Sequence, residues 1–326
     1  MRLIVFGRKD IRRLVTFDRC IPAIRKAMID LSMGRTRQTL RQIVPIADRG
    51  QFGVMQGALA PGEAFGAKVL SVFPQNVARG GQSHQGLVIV FDPHSGAPAA
   101  VAHAGELTAI RTAAASAAAT DALAPTQACR LAILGTGEQA MMHARAIAEI
   151  RPLTQIRVWG RNAARTQGVA EKLRMWMTCA VIAAATVGEA VYDADIICTT
   201  TSAPEPILFG RQVPQGAHLN IVGSSYAGPV EIDNELVCRA RFFADHRESV
   251  INQGAEFLRA KAAGLIDEHH ILGEIGEVLA GTTPGRLTAE DITLYKSLGN
   301  IVQDLACAAI LTALAHDAPD LQTIEL

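Results

Sequence analysis

The sequence carries no excess of charge of either sign, since 31 Lys plus Arg balance 31 Asp plus Glu. No global field therefore draws the chain to nucleic acid or to an anionic membrane, and a small, soluble partner is favoured. It also lacks a CxxC pair. Cys20, Cys129, Cys179, Cys198, Cys238 and Cys307 are scattered without metal-type spacing, the pattern expected of reduced core thiols in a cytoplasmic protein. The histidines form no HExxH or paired ligand pattern, so no metal is implied. No apolar run approaches a membrane span. Leu3 to Phe6 is apolar for only four residues before Arg8, Lys9, Arg12 and Arg13, which is too short for a signal peptide. Short-period repeats and low-complexity tails are missing as well; residues 109–124 are strongly biased, toward alanine.

What is present is organised around residues 130–162. The apolar run Leu131 to Leu134 enters the turn Gly135-Thr136-Gly137-Glu138-Gln139-Ala140, a helical stretch follows, and Ile156 to Trp159 reads as a second strand. In this strand, glycine turn, helix, strand order, Gly135 permits the tight turn and Gly137 lets the backbone approach a pyrophosphate. Ala140 in the third position lets the helix pack close to the first strand. Amides at the helix N-terminus then face phosphates, where the helix dipole favours negative charge. The second strand ends in Gly160-Arg161-Asn162, with Arg165 following, where an NAD site places Asp or Glu against the ribose 2′-hydroxyl. A guanidinium at Arg161 can pair with a 2′-phosphate, so NADPH is preferred, with NADH possible. The plain alternative is that Arg161 is a solvated loop residue.

At 326 residues the chain is long enough for two domains, each with its own core. Residues 8–33 carry apolar positions at helical spacing, from Ile11 and Leu14 through Ile24, Met28 and Leu31, and predict two helices broken near Pro22. From Arg41 to Phe91 the pattern turns to strands: Gln42 to Ile46, Phe52 to Met55, Ala64 to Phe73 and Gly86 to Phe91. Residues 106–123 read as a helix of very small side chains. After the glycine turn, strands are predicted at Val181 to Ala184, Ile196 to Thr200, His218 to Val222 and Arg241 to Ala244. Helices are predicted at 163–176, near 187–192 and at 231–239; residues 247–282 read as helix, loop and strand fragments. Ile301 to Ala315 is a long closing helix that returns to the first domain. The alternation implies an α/β protein: a Rossmann-type doubly wound parallel sheet domain, residues 123–302, inserted in a second α+β domain, residues 1–122 plus 303–326.

Several strings together carry a family resemblance. Glu106-Leu107-Thr108-Ala109-Ile110-Arg111-Thr112-Ala113-Ala114-Ala115-Ser116, the 135–140 turn, His218-Leu219-Asn220-Ile221-Val222-Gly223-Ser224, and Lys296-Ser297-Leu298-Gly299-Asn300 with Asp304 resemble the ornithine cyclodeaminase and mu-crystallin family over nearly the whole chain. The resemblance implies chemistry at a carbon bearing both a carboxylate and a nitrogen. It marks Arg41, Lys68 and Arg111 as substrate-binding positions, where guanidinium and ammonium groups suit a carboxylate. It further implies that Thr112 and the 135–140 turn bind phosphates, and that Val222, Gly223, Ser297 and Gly299 line the nicotinamide side. Family members commonly pair through the first domain's sheet, so a homodimer formed by the 40–102 region is expected, the first domain serving substrate binding and dimerisation.

There is one departure. Family cyclodeaminases carry an aspartate two residues after the glycine matching Gly223, and here that place holds Ser225. A serine cannot act as a carboxylate base for expelling ammonia from a diamino acid. It can still donate a hydrogen bond or position a water during imine reduction. Gln82-Ser83-His84-Gln85-Gly86 resembles the family's Δ1-pyrroline-2-carboxylate and piperideine-2-carboxylate reductases, with Ser83 as a substrate or water ligand and His84 as a proton source. Otherwise His84 is a strand-end histidine bonded to backbone. The expectation is a reductase of a cyclic 2-imino acid with Lys68, Ser225 and His84 as catalytic candidates. The alternatives are ornithine cyclodeamination with bound NAD, an alanine-dehydrogenase-like activity, and non-catalytic ligand binding like that of mu-crystallin.

Overall fold

The computed structural model describes residues 2–47, 49–73, 75–76 and 84–325. The chain folds as two compact units, Met1–Arg111 with Asn300–Leu326, and Thr112–Gly299 between them. These divisions fall at 111/112 and 299/300, where the sequence reading places 122/123 and 302/303.

In chain order the first unit contains β1 (Arg2–Phe6), α1 (Arg8–Leu14), α2 (Phe17–Ser32), β2 (Arg37–Gln38), β3 (Gln42–Ile46), β4 (Gly50–Ala58), β5 (Phe65–Val72), β6 (His84–Phe91), β7 (Pro98–His103) and the start of α3 (Ala104–Leu123). Its eight-stranded sheet runs β16-β1-β7-β6-β5-β4-β2, with β3 also paired to β4; β16 (Gln322–Glu325) comes from the chain's last residues. Every pairing is antiparallel except β1 with β7. The helix α2 forms because Phe17, Cys20, Ile21, Ile24, Ala27 and Met28 make a buried stripe at helical spacing. Pro22 does not break it, contrary to the sequence reading. The interruption lies well before it, at Val15–Thr16, where Thr16 takes an extended conformation at the N-cap position of α2. Pro22 forfeits one amide bond inside the helix, a cost of about 3 kcal/mol that burial of the stripe offsets.

The second unit follows as the rest of α3, then β8 (Arg130–Leu134), α4 (Glu138–Ile150), β9 (Gln155–Trp159), α5 (Ala163–Arg174), β10 (Ala180–Ala183), α6 (Val187–Val191), β11 (Ile196–Thr199), β12 (His218–Ile221), α7 (Asn234–Arg239), β13 (Arg241–Ala244), α8 (Arg247–Gln253), α9 (Ala255–Ala262), β14 (Ile271–Glu274), α10 (Ile275–Leu279) and β15 (Thr293–Lys296). Its eight strands are ordered β10-β9-β8-β11-β12-β15-β13-β14, all parallel. The first five strands have the order of a doubly wound dinucleotide-binding sheet, reversing direction between β8 and β11. Strands buried on both faces read as continuous apolar runs, as β8 and β11 do. β15 escapes that pattern in the sequence because Thr, Tyr and Lys interrupt it, yet all four of its residues are buried.

The closing helix α11 (Ile301–Leu314), capped by Asn300, belongs to the first unit and packs on α2 and on β4, β5 and β6. Three of the six free cysteines are buried, but Cys238 is exposed. They are therefore not uniformly core thiols. Among the described residues no helix is long and apolar enough to cross a membrane.

Candidate active site

In the first unit, three elements bring charge to one place. Lys68 sits in the middle of β5, cross-strand from Met55 of β4 and Val88 of β6, and all three are buried. Arg111 comes from α3 and Asp304 from the first turn of α11. Lys68 Nζ donates to Thr108 Oγ1 at 2.5 Å and to Asp304 Oδ1 at 3.1 Å. Arg111 Nε donates to that same Asp304 oxygen at 3.2 Å, and its NH1 to Gln303 Oε1 at 2.8 Å. Two buried cations thus share one oxygen of one buried carboxylate, whose second oxygen has no hydrogen-bond partner.

Burial is the chief cause that pulls the Lys68 ammonium down from 10.5 to about 8; Asp304 opposes it, while Arg111 and Arg41 add to it. Arg41, half-buried just before β3, is therefore close enough for its charge to be felt at Lys68. Buried charges are normally paired. Here the positive side is in surplus, and the chemistry that completes such a cluster is a small anion. Ser83 lies outside the described residues; His84 opens β6, and its side chain is likewise outside them.

In the second unit, β8 delivers the chain into the glycine turn. Gly135 adopts φ +142°, which an L side chain rarely takes, and its amide bonds Trp159 O at 2.8 Å. A Cβ there would lie 2.4 Å from Thr200 Oγ1. At Gly137 the reason for glycine is different, because a Cβ would meet no protein atom within 4 Å. Gly137 is the N-cap of α4 and offers no side-chain oxygen to the helix amides. Gly137 and Glu138 are exposed, Ala140 is fully buried, and Gln139 Oε1 is a buried acceptor with no partner. A helix start with no side-chain cap, entered through glycine, fits a phosphate group. Thr112, at the start of this unit, is buried. At the end of β9, Arg161 and Asn162 are exposed, and Asn162 Oδ1 caps α5 by accepting from Arg165 N at 2.9 Å. Asn162 thus has a structural occupation that its place in the motif did not disclose.

The carboxyl ends of β11, β12, β13 and β15 are tied together by three buried carboxylates that the sequence reading did not single out, Glu231, Asp245 and Glu256. Glu231 accepts from Thr199 Oγ1 at 2.7 Å, from Thr201 N and Oγ1 at 2.7 and 2.8 Å, and from Gly223 N at 2.6 Å. Lys296 Nζ pairs with Glu256 Oε2 at 2.7 Å and donates to Ser224 O and Oγ, each at 2.6 Å. Glu256 Oε1 accepts from Ser224 Oγ, and from Glu231 N at 3.1 Å. Asp245 Oδ2 accepts from Leu298 N at 2.8 Å and Gly299 N at 2.6 Å. Burial raises the carboxyls of Glu231 and Asp245, and these hydrogen bonds pull them back. Val222 and Ser297 are buried, Ser225 is half-buried, and Ser297 Oγ has no hydrogen-bond partner. The residues are dispersed from 199 to 299, so no local spacing signals them. Among the described residues, no three His, Cys, Asp or Glu side chains come together as a metal site.

With this geometry in hand, three comparisons with known proteins bear on the site. The model of the ornithine cyclodeaminase/mu-crystallin family matches residues 3–317. The chain is 37% identical over 295 residues to the ketimine reductase mu-crystallin of Mus musculus, covering 89% of this chain and 90% of that protein. It is 30% identical over 311 residues to a Δ1-pyrroline-2-carboxylate reductase of Bacillus cereus, covering 95% of each. The solved structure of Thermococcus litoralis Δ1-pyrroline-2-carboxylate reductase in complex with NADH and L-proline matches with a TM-score of 0.92 at 30% identity, over 97% of this chain and 98% of that one.

Proposed function

This chain belongs to the ornithine cyclodeaminase/mu-crystallin family, and from that premise we propose that it is an NAD(P)H-dependent oxidoreductase of C=N bonds. Its substrate is a cyclic 2-imino acid, Δ1-pyrroline-2-carboxylate or Δ1-piperideine-2-carboxylate, and its product L-proline or L-pipecolate. The observation that carries this reading is the surplus of buried positive charge at Lys68 and Arg111, which share one oxygen of Asp304. Such a surplus suits a carboxylate, and the neutral residues around it, Met55 and Val88, suit the ring of an imino acid rather than a second ammonium. Ser225, standing where a cyclodeaminase needs a carboxylate base, speaks against ornithine as substrate.

The dinucleotide supplies the hydride. The chain's own residues do the rest. Arg41, Lys68 and Arg111 hold the carboxylate and thereby fix the neighbouring C=N carbon, turning a bimolecular encounter into an effectively unimolecular one. One proton must reach the nitrogen as the hydride reaches carbon. Lys68, whose ammonium titrates at about 8, can hold that proton beside the bound acid at neutral pH. Ser225, Ser83 and His84 are assigned to ordering water. Thr112 and the 135–140 turn bind phosphates, and Val222, Gly223, Ser297 and Gly299 line the nicotinamide. Arg161, with no carboxylate at the end of β9, favours NADPH over NADH.

The protein is further proposed to work as a cytoplasmic homodimer joined through the sheet of the first unit. Ile43, Val44, Ile46, Phe52 and Leu87 of that sheet are exposed apolar side chains; a single-chain mass in sedimentation velocity would exclude the pairing. The test of the activity is direct. Purified protein is mixed with NADPH or NADH and, in turn, pyrroline-2-carboxylate, piperideine-2-carboxylate, pyruvate plus ammonia, and ornithine, following reduced nicotinamide and ammonia. Oxidation of the cofactor with a cyclic imine and no added ammonia is expected. Ammonia release from ornithine, or silence with both imines, would sink the reading.

A further inference from the structure

We propose that Glu231 and the Lys296–Glu256 pair are positioning residues that hold the backbone from Val222 to Ser225 as a fixed floor for the nicotinamide ring. The inference rests on the reading above that this segment lies on the nicotinamide side.

The argument begins from cost. Removing an ammonium and carboxylates from water is unfavourable by several kcal/mol per ion, and apolar side chains of similar volume often serve stability as well or better. Lys296, Glu231 and Glu256 are nonetheless at most 1% exposed. Their bonds converge on one short loop. Glu231 takes the Gly223 amide at 2.6 Å, while the ammonium of Lys296 takes the carbonyl and hydroxyl of Ser224, each at 2.6 Å. Glu256 accepts the Ser224 hydroxyl and, through the Glu231 amide, ties the loop's far end to the same group. Gly223 is wedged so tightly that a Cβ would fall 1.9 Å from Thr201 O and 2.5 Å from Glu231 Oε1. Two consecutive residues of the loop are therefore gripped by three separate buried groups. Ser225, next in line, is half-buried and lies just beyond the gripped pair. Hydride transfer depends on sub-ångström placement of the ring, and a misplacement of about 1 Å costs about 100-fold in rate. A charged, oriented network tolerates less drift than an apolar contact, which is what such a floor requires.

The experiment replaces the ion pair by apolar side chains in the full chain, Lys296→Met with Glu256→Met. The double variant leaves neither charge buried alone but frees Ser224 O and Glu231 N from their partners, so Tm should fall modestly, while NADPH should bind with unaltered Kd through its phosphates. Its single-turnover hydride transfer to the cyclic imine should fall about 100-fold, and the fluorescence of its bound reduced nicotinamide should move toward that of free NADPH. A purely structural role predicts that, whatever the Tm, the rate per folded molecule and the fluorescence stay intact; that result overturns the proposal. Should the double variant fail to fold, Glu231→Gln, which keeps shape but loses an acceptor for the Gly223 or Thr201 donors, takes its place. Wild-type rate and fluorescence in that variant overturn the proposal equally. The two readings separate cleanly. If wild-type protein reduces neither imine while the variants still shift the nicotinamide fluorescence, the substrate assignment fails and the positioning role stands. If wild-type turns over and the variants match it, only the positioning role fails.

Discussion

The two units each bury a cluster of charge, and the clusters are built to opposite rules. In the first unit Lys68 and Arg111 share one oxygen of Asp304, so positive charge is in surplus and the carboxylate's other oxygen lacks a hydrogen-bond partner. In the second, Glu231, Glu256 and Asp245 stand against Lys296 alone, so carboxylates are in surplus; yet backbone amides and hydroxyls are aimed at them, four donors at Glu231 by themselves. The first cluster is short of negative charge, whereas in the second each carboxylate is met by an ion pair or by donors of the chain itself. Unfinished charge in an interior is what a ligand of opposite sign can complete, whereas charge met from within the chain holds its own backbone in place.

Single substitutions should break the comparison in opposite ways, and this is the largest effect expected. Arg111→Met leaves Lys68 paired with Asp304, so Tm should change little, while the KM for the imino acid should rise steeply with a loss of about 2–5 kcal/mol in kcat/KM. Glu231→Ala orphans the Gly223 and Thr201 amides at about 1–3 kcal/mol each, so thermal unfolding should come at a clearly lower temperature. Calorimetry beside steady-state kinetics would measure both, and a destabilised Arg111→Met enzyme with normal KM would reverse the assignment.

A pH titration sharpens the contrast at the first cluster. Because the ammonium of Lys68 is lowered from 10.5 to about 8, KM for the imino acid should be flat below about pH 8 and climb above it as the cation is lost. Stability moves the other way. Between about 8 and 10.5 the unfolded chain binds the extra proton at this residue, so its contribution to stability grows as pH rises through that window. Lys68→Met should abolish both trends. A KM that stays level to pH 10 would show that Lys68 holds no anion.

The smallest effect belongs to the exposed rim of the second unit. Arg161→Asp should shift preference from NADPH toward NADH by up to about fivefold, the worth of roughly 1 kcal/mol at a solvated charge. An unchanged ratio of kcat/KM for the two cofactors would return Arg161 to an ordinary loop position.

How legible these features were depends on the range of the interactions behind them. The strand, glycine turn and helix from 130 to 150 could be read directly because their reasons are local: φ at Gly135, the uncapped start of α4, the unbroken apolar run of β8. Pro22 misled because its local penalty is outweighed by a stripe that α2 buries against distant residues. β15 was passed over because Lys296 looks like a surface residue until Glu256, forty positions away, is seen to pair with it. Asn162, which the sequence shows only as Arg161's neighbour at the end of β9, also caps α5. Arg41, Lys68 and Arg111 stood out through resemblance alone; as isolated cations they are indistinguishable from the surface.

By itself, the sequence determined the α/β class, the parallel sheet with its glycine turn and the family, since these rest on periodicity, turn chemistry and short motifs that neighbouring residues decide. Only the tertiary structure decided which charges are buried and whom they meet. It joined Lys68 to Asp304 across 236 positions and Lys296 to Ser224 across 72. Charge in a protein takes its meaning from desolvation and from partners a few ångströms off, and neither is a property of a residue's place in the chain.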